Sequence, residues 1–181
     1  MIIYAVIITF RGKVHKEIAT LREQYNKYVN YTIVPHITLL YPVVLKNDLT
    51  AVYAKLEEVA HQTKPFVLEL NGVQYFEERN NVAYIAVEKR QPVVDLHYAI
   101  NHALSRTIKD NSNQTYTYEN FTPHITVAEL IPADIFPYIK MELSKLVLRY
   151  RVRIDSFSLF SARQNKTWET WKQERVFKLL G

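Results

Sequence analysis

Two segments, VPHITLLYP at residues 34–42 and TPHITVAEL at 122–130, share a Pro-His-Ile-Thr unit 88 residues apart (124 − 36). A repeat this short arises by chance unless its surroundings repeat as well. They do. In the first half, IIYAVIITF reads as a strand, and residues 14–29 place Val14, Ile18, Leu21, Tyr25 and Tyr28 at helical spacing. The PHITLLY strand comes next. Asp48 then caps a helix running to about His61, with Leu49, Val52, Leu56 and Val59 on one face, and FVLEL and VQYF follow as strand after Pro65.

The second half runs in the same order. NVAYIAVE (81–88) is a strand, and residues 92–108 form an amphipathic helix opening on a proline. A polar loop, KDNSNQTYTYEN (109–120), leads into the second PHIT strand. A helix from about Ala133 to Lys145 precedes LVLRYRVRIDSFSLFSA, read as one long or bent strand. After a turn at RQNKT (163–167), WKQERVFKLL supplies a last strand. Each half is therefore strand, helix, His-Thr strand, helix, strand. This predicts an α+β domain spanning 1–181, with an internal repeat at approximately 1–75 and 81–181.

Side chains alternate between the two faces of a strand. His36 and Thr38 thus share a face with Leu40, opposite Ile37 and Leu39; His124 and Thr126 align with Ala128, opposite Ile125 and Val127. A β-branched threonine holds its hydroxyl in a restricted rotamer, and a proline at a strand start costs little. Two such units related by a pseudo-two-fold axis would bring two imidazoles and two hydroxyls around one phosphorus. Displacement at phosphorus needs one proton removed and one delivered, and histidine does either near neutral pH. A single His-x-Thr is more often structural; two in matching places of a duplicated unit favour chemistry.

Composition narrows the alternatives. With no cysteine there is no thiol nucleophile and no Cys-ligated zinc, and three glycines leave no phosphate-cradling glycine loop. The other histidines, His15, His61, His97 and His102, fall on predicted helices and read as surface or boundary residues. No metal-ligand set is recognisable, so neither metal nor cofactor is expected. The first residues lack the basic start and cleavage site of a signal peptide and are too short for a membrane span. A cytoplasmic monomer is the expectation. The formal charge of +5 suits an anionic ligand only weakly.

With these motifs the sequence resembles the two-histidine phosphoesterase superfamily, which includes 2'-5' RNA ligases and RNA 2',3'-cyclic phosphodiesterases. The resemblance spans IIYAVI, both PHIT strands, VAYIAV and the closing FSLFSA…WKQERVFKL hairpin. It implies a bilobal fold, with two antiparallel sheets enclosing a central groove and helices outside. His36, Thr38, His124 and Thr126 match the family's catalytic motif. The implied activity is opening of 2',3'-cyclic phosphates on RNA ends or nucleotides, with 2'-5' ligation as the reverse. A non-catalytic RNA-end or nucleotide binder is the alternative from another class, and a purely structural duplication is a third. Several RNA-acting members carry a basic residue shortly after the second motif, whereas this chain has Glu129, which alternation places opposite His124. Arg11 and Arg163 are candidate supplementary cations. Tyr41 is a candidate base-stacking residue if the strand bends at Pro42, although regular alternation would bury it.

Overall fold

The computed structural model describes residues 1–29, 31–46, 48–77, 80–88, 91–109, 121–163 and 169–181. Most of the polar loop and of the RQNKT turn read from the sequence lies outside them. The described elements run β1 (Ile2–Thr9), α1 (Gly12–Tyr25), β2 (Tyr31–Thr32), β3 (His36–Val43), α2 (Leu49–Gln62), β4 (Phe66–Phe76) and β5 (Val82–Val87). They continue α3 (Gln91–Leu104), β6 (His124–Ala128), α4 (Phe136–Ser144), β7 (Arg149–Ile154), β8 (Ser156–Arg163), β9 (Glu169–Thr170) and β10 (Lys172–Lys178).

The strands form two antiparallel four-stranded sheets, ordered β10-β8-β1-β3 and β6-β5-β4-β7, with β2 and β9 pairing in parallel beside them. Each PHIT strand is an edge strand next to the first strand of its half: β3 beside β1, and β6 beside β5. The two sheets are thus built on one plan. Neither is made by one half of the chain, however. β4 crosses into the second sheet, while β8 and β10 complete the first. The segment read as one long strand is divided at Asp155: β7 pairs with β4, and β8 pairs with β1.

The helices cross over in the same way. α1 packs on β6 of the second sheet and α3 on β3 of the first. This covers the apolar face of each sheet, and Val6, Ile8, Ile37, Leu39, Leu68, Ile85, Ile125 and Leu96 join one continuous core. The opposite faces turn toward a groove, where Ala5, Ile7 and Phe160 form a smaller cluster with Ile33 and Trp171. The side chain of Asp48 accepts from the Ala51 N–H at 3.1 Å, the N-cap expected for α2. α1 ends at Tyr25, short of the predicted residue 29, because the backbone leaves the helical region at Asn26, whose ψ is 62°. Among the described residues no helix is long and apolar enough to cross a membrane.

Candidate active site

His36, Thr38, His124 and Thr126 line one cavity of about 210 Å³ between the edge strands of the two sheets. β3 supplies the first pair and β6 the second; Arg22 enters from α1, and Ile33 and Trp171 close one side. The two histidines are held alike. His36 Nδ1 lies 2.7 Å from the Val34 carbonyl, and His124 Nδ1 lies 2.8 Å from the Thr122 carbonyl. A carbonyl only accepts, so Nδ1 carries the hydrogen in both rings. Nε2 is then the nitrogen left for chemistry. The His124 ring is packed edge-on against Phe76 and Tyr84, with centroids 5.2 and 5.3 Å away.

Beyond the threonines both strands depart from alternation. In β3, Thr38 pairs with Ile7 but Leu40 pairs with Val6, so Leu39 is an extra residue. In β6, Thr126 pairs with Tyr84 but Ala128 pairs with Ala83, so Val127 is extra. Such bulges reverse the facing of everything after them. Leu40 and Ala128, expected beside the histidines, are therefore buried in the core. Tyr41 and Glu129, expected on the core side, instead line the cavity. The two strands present matching triplets, His36-Thr38-Tyr41 and His124-Thr126-Glu129, each member separated from its counterpart by 88 residues (129 − 41).

Glu129, Arg22 and Trp171 are cavity residues that sequence reasoning missed. The signal for Glu129 was two adjacent apolar residues after each threonine, Leu-Leu and Val-Ala, which strict alternation cannot bury together. Arg22 is buried despite its charge, and its Nη1 donates to the Thr126 carbonyl at 2.7 Å. Arg11 and Arg163 are both exposed and stand apart from the cavity lining. Arg11 is at the start of α1, and Arg163 pairs with Ile2 at the far end of β8. His97, read as a surface or boundary residue, is buried.

The sequence profile of the 2'-5' RNA ligase superfamily matches residues 10–166. The chain belongs to this superfamily. A relative named "Putative phosphoesterase OB1230" from Oceanobacillus iheyensis is 28% identical over 171 residues, covering 93% of this chain and 95% of its own. A protein of the same class name from Bacillus cytotoxicus is 31% identical over 169 residues, covering 90% of each. In fold, the chain is similar to TT0787 of Thermus thermophilus, with a TM-score of 0.70, 17% identity and coverage of 99% and 98%. It is also similar to E. coli LigT complexed with 3'-AMP, with a TM-score of 0.68, 12% identity and 99% of each chain covered.

This superfamily member sets its two histidines in unequal fields. Burial lowers the pKa of His36 to about 4, helped by the positive Arg22 and by His124, and opposed by the bond to Val34. Burial also lowers that of His124, but the Thr122 carbonyl and the Glu129 carboxylate pull it back up. Near neutral pH both rings are therefore mainly neutral, and the Glu129 carboxylate favours protonation of His124 where Arg22 opposes that of His36. Two imidazoles, two hydroxyls and a guanidinium around one cavity suit a phosphoryl group in chemistry.

Proposed function

We propose that this protein is a metal-independent phosphodiesterase that opens 2',3'-cyclic phosphates at RNA ends or on nucleotides. The observation that carries the reading is one cavity bounded by both His-x-Thr pairs, with each Nδ1 tied to a carbonyl and each Nε2 left over. In hydrolysis, Nε2 of His36 takes a proton from water as its oxygen bonds to phosphorus. The bond from phosphorus to one ribose oxygen breaks, and Nε2–H of His124 protonates that oxygen. The product is a ribose phosphomonoester beside a free hydroxyl, and the two histidines have exchanged protonation states. If a 5'-hydroxyl replaces water and the 3' oxygen leaves, the same transfers give a 2'-5' linkage.

Thr38 and Thr126 donate to the non-bridging oxygens, where charge builds in the transition state. Arg22 adds positive charge from α1. Tyr41 and Trp171 border the cavity and supply aromatic surface for a nucleobase. The LigT complex with 3'-AMP supports the substrate class, since a nucleoside with phosphate on its ribose is what such hydrolysis handles. Glu129 gives this cavity an acidic rim, which disfavours long polyanionic RNA and favours short or mononucleotide substrates.

The test is turnover of 2',3'-cyclic AMP in the presence of a chelator, with the products resolved by chromatography. Accumulation of one AMP isomer, abolished by His36→Ala and by His124→Ala, is the expected result. Tight binding of the nucleotide with no product would overturn the reading in favour of a binding protein.

A further inference from the structure

The bulges that bring Tyr41 and Glu129 into the cavity leave backbone groups without ladder partners, and buried groups of that kind need others. Both are met by a helix from the other half of the chain. At the β3 bulge, the carbonyl of the extra residue Leu39 receives His97 Nδ1–H at 2.7 Å and Asn101 Nδ2–H at 2.9 Å, both from α3. At the β6 bulge, Arg22 of α1 donates to the Thr126 carbonyl at 2.7 Å, and Asn26 Oδ1 accepts the Glu129 N–H at 3.1 Å. His97 and Asn101 are four apart on α3; Arg22 and Asn26 are four apart at the end of α1, so each pair shares a helix face. The pairs repeat in sequence: Leu21, Arg22 and Asn26 recur as Leu96, His97 and Asn101, each 75 residues on (96 − 21).

We infer that these pairs are positioning residues, each half using its first helix to hold the bulge in the other half's His-x-Thr strand. The α3 pair is the cleaner case, because neither His97 nor Asn101 lines the cavity. His97 is buried, and its ring stacks on Phe121 at a centroid distance of 3.8 Å and an interplanar angle of 4°. Phe121 lies three residues before His124. One side chain therefore touches the β3 bulge and the approach to the second motif, tying the two motif strands to a common register. Without its donors, the Leu39 carbonyl is relieved by removing the bulge or turning it, and either carries Thr38 and Tyr41 away from their places. The inference rests on the functional reading above only in what the displaced groups do.

The test compares His97→Phe/Asn101→Leu, which keeps a ring for the stack but removes both donors, with His97→Asn, which returns an N–H close to the position of Nδ1. The double variant should lose kcat for 2',3'-cyclic AMP by on the order of 10–100-fold, as expected for misplaced reacting groups, with KM little changed. Its His36 imidazole NMR signals should shift while those of His124 stay in place, and His97→Asn should recover most of kcat. A folded double variant with wild-type kcat and wild-type His36 signals would overturn the inference, as would equal shifts of both histidines. If the double variant does not fold, Asn101→Leu alone is judged by the same two readouts. Should the wild-type protein turn over no cyclic phosphate, the functional reading fails, and the His36 signals still decide this one.

Discussion

Acidification should destabilise the folded protein through His36 in a window set by its burial. The folded-state pKa of about 4 lies below the ordinary histidine value of 6.5, so between these values the unfolded chain binds a proton that the folded chain refuses. Stability therefore rises with pH across the window and is lost as pH falls through it, levelling off below the folded value. The span of 2.5 (6.5 − 4), at 1.36 kcal/mol for each tenfold step, amounts to up to about 3 kcal/mol. That is a large part of the roughly 5–15 kcal/mol of a typical domain. Urea denaturation of the wild-type protein and His36→Gln at pH 7.5, 6.5, 5.5 and 4.5 isolates the effect, because His124 contributes to both. The gap between them should change steadily in favour of the variant as pH falls. A gap that stays constant, or an NMR titration placing His36 near 6.5, would refute the burial argument.

His36→Ala or His124→Ala should lower kcat by on the order of 10²–10⁴-fold, and the double variant far less than the product of the two, because the groups act as one unit. Glu129→Gln removes the charge that supports protonation of His124. In the pH profile of kcat/KM its alkaline limb should therefore move to lower pH while the acid limb, set largely by His36, stays; an unmoved alkaline limb would count against the assignment of acid and base. Thr38→Val and Thr126→Val should each reduce kcat with little change in melting temperature, and an unaltered kcat would show that the hydroxyls do not reach the phosphoryl oxygens. Turnover should persist in excess chelator, and recovery of a chelated enzyme by a divalent ion would contradict the two-histidine mechanism.

The sequence was legible where local chemistry and periodicity decide the outcome. The PHIT repeat, the helix capped by Asp48 and the pairing of histidine with threonine on one strand face needed nothing beyond their own neighbours. Past the threonines, facing depends on how β3 pairs with β1 and β6 with β5, and that register is a non-local property. Alternation therefore misplaced Leu40, Tyr41, Ala128 and Glu129 together, by one cause. His97 was missed for a related reason: its partner is a carbonyl 58 positions away in the chain, and no helical pattern announces such a bond. Arg11 and Arg163 each lie at a strand end in the sequence, and neither reaches the cavity lining. The groove instead takes its cation from Arg22, a position that reads as one more charged residue on a helix.

The central strand of the first sheet has a consequence for how the protein is made. β1 lies between β3 and β8, and its partners in β8 are 151 to 161 residues further along (158 − 7 and 163 − 2). At a ribosome adding about 5–20 residues per second, that interval lasts roughly 10–30 s. Until β8 is made, β1 has β3 alone to pair with and its other flank stays open, the kind of strand edge on which aggregation begins. The second sheet waits as well, since β4 sits between β5 and the late-made β7. A message truncated before β8 would therefore yield both PHIT segments yet leave β1, which lines the groove through Ala5 and Ile7, with one neighbour of its two, and would lack Trp171 from the lining.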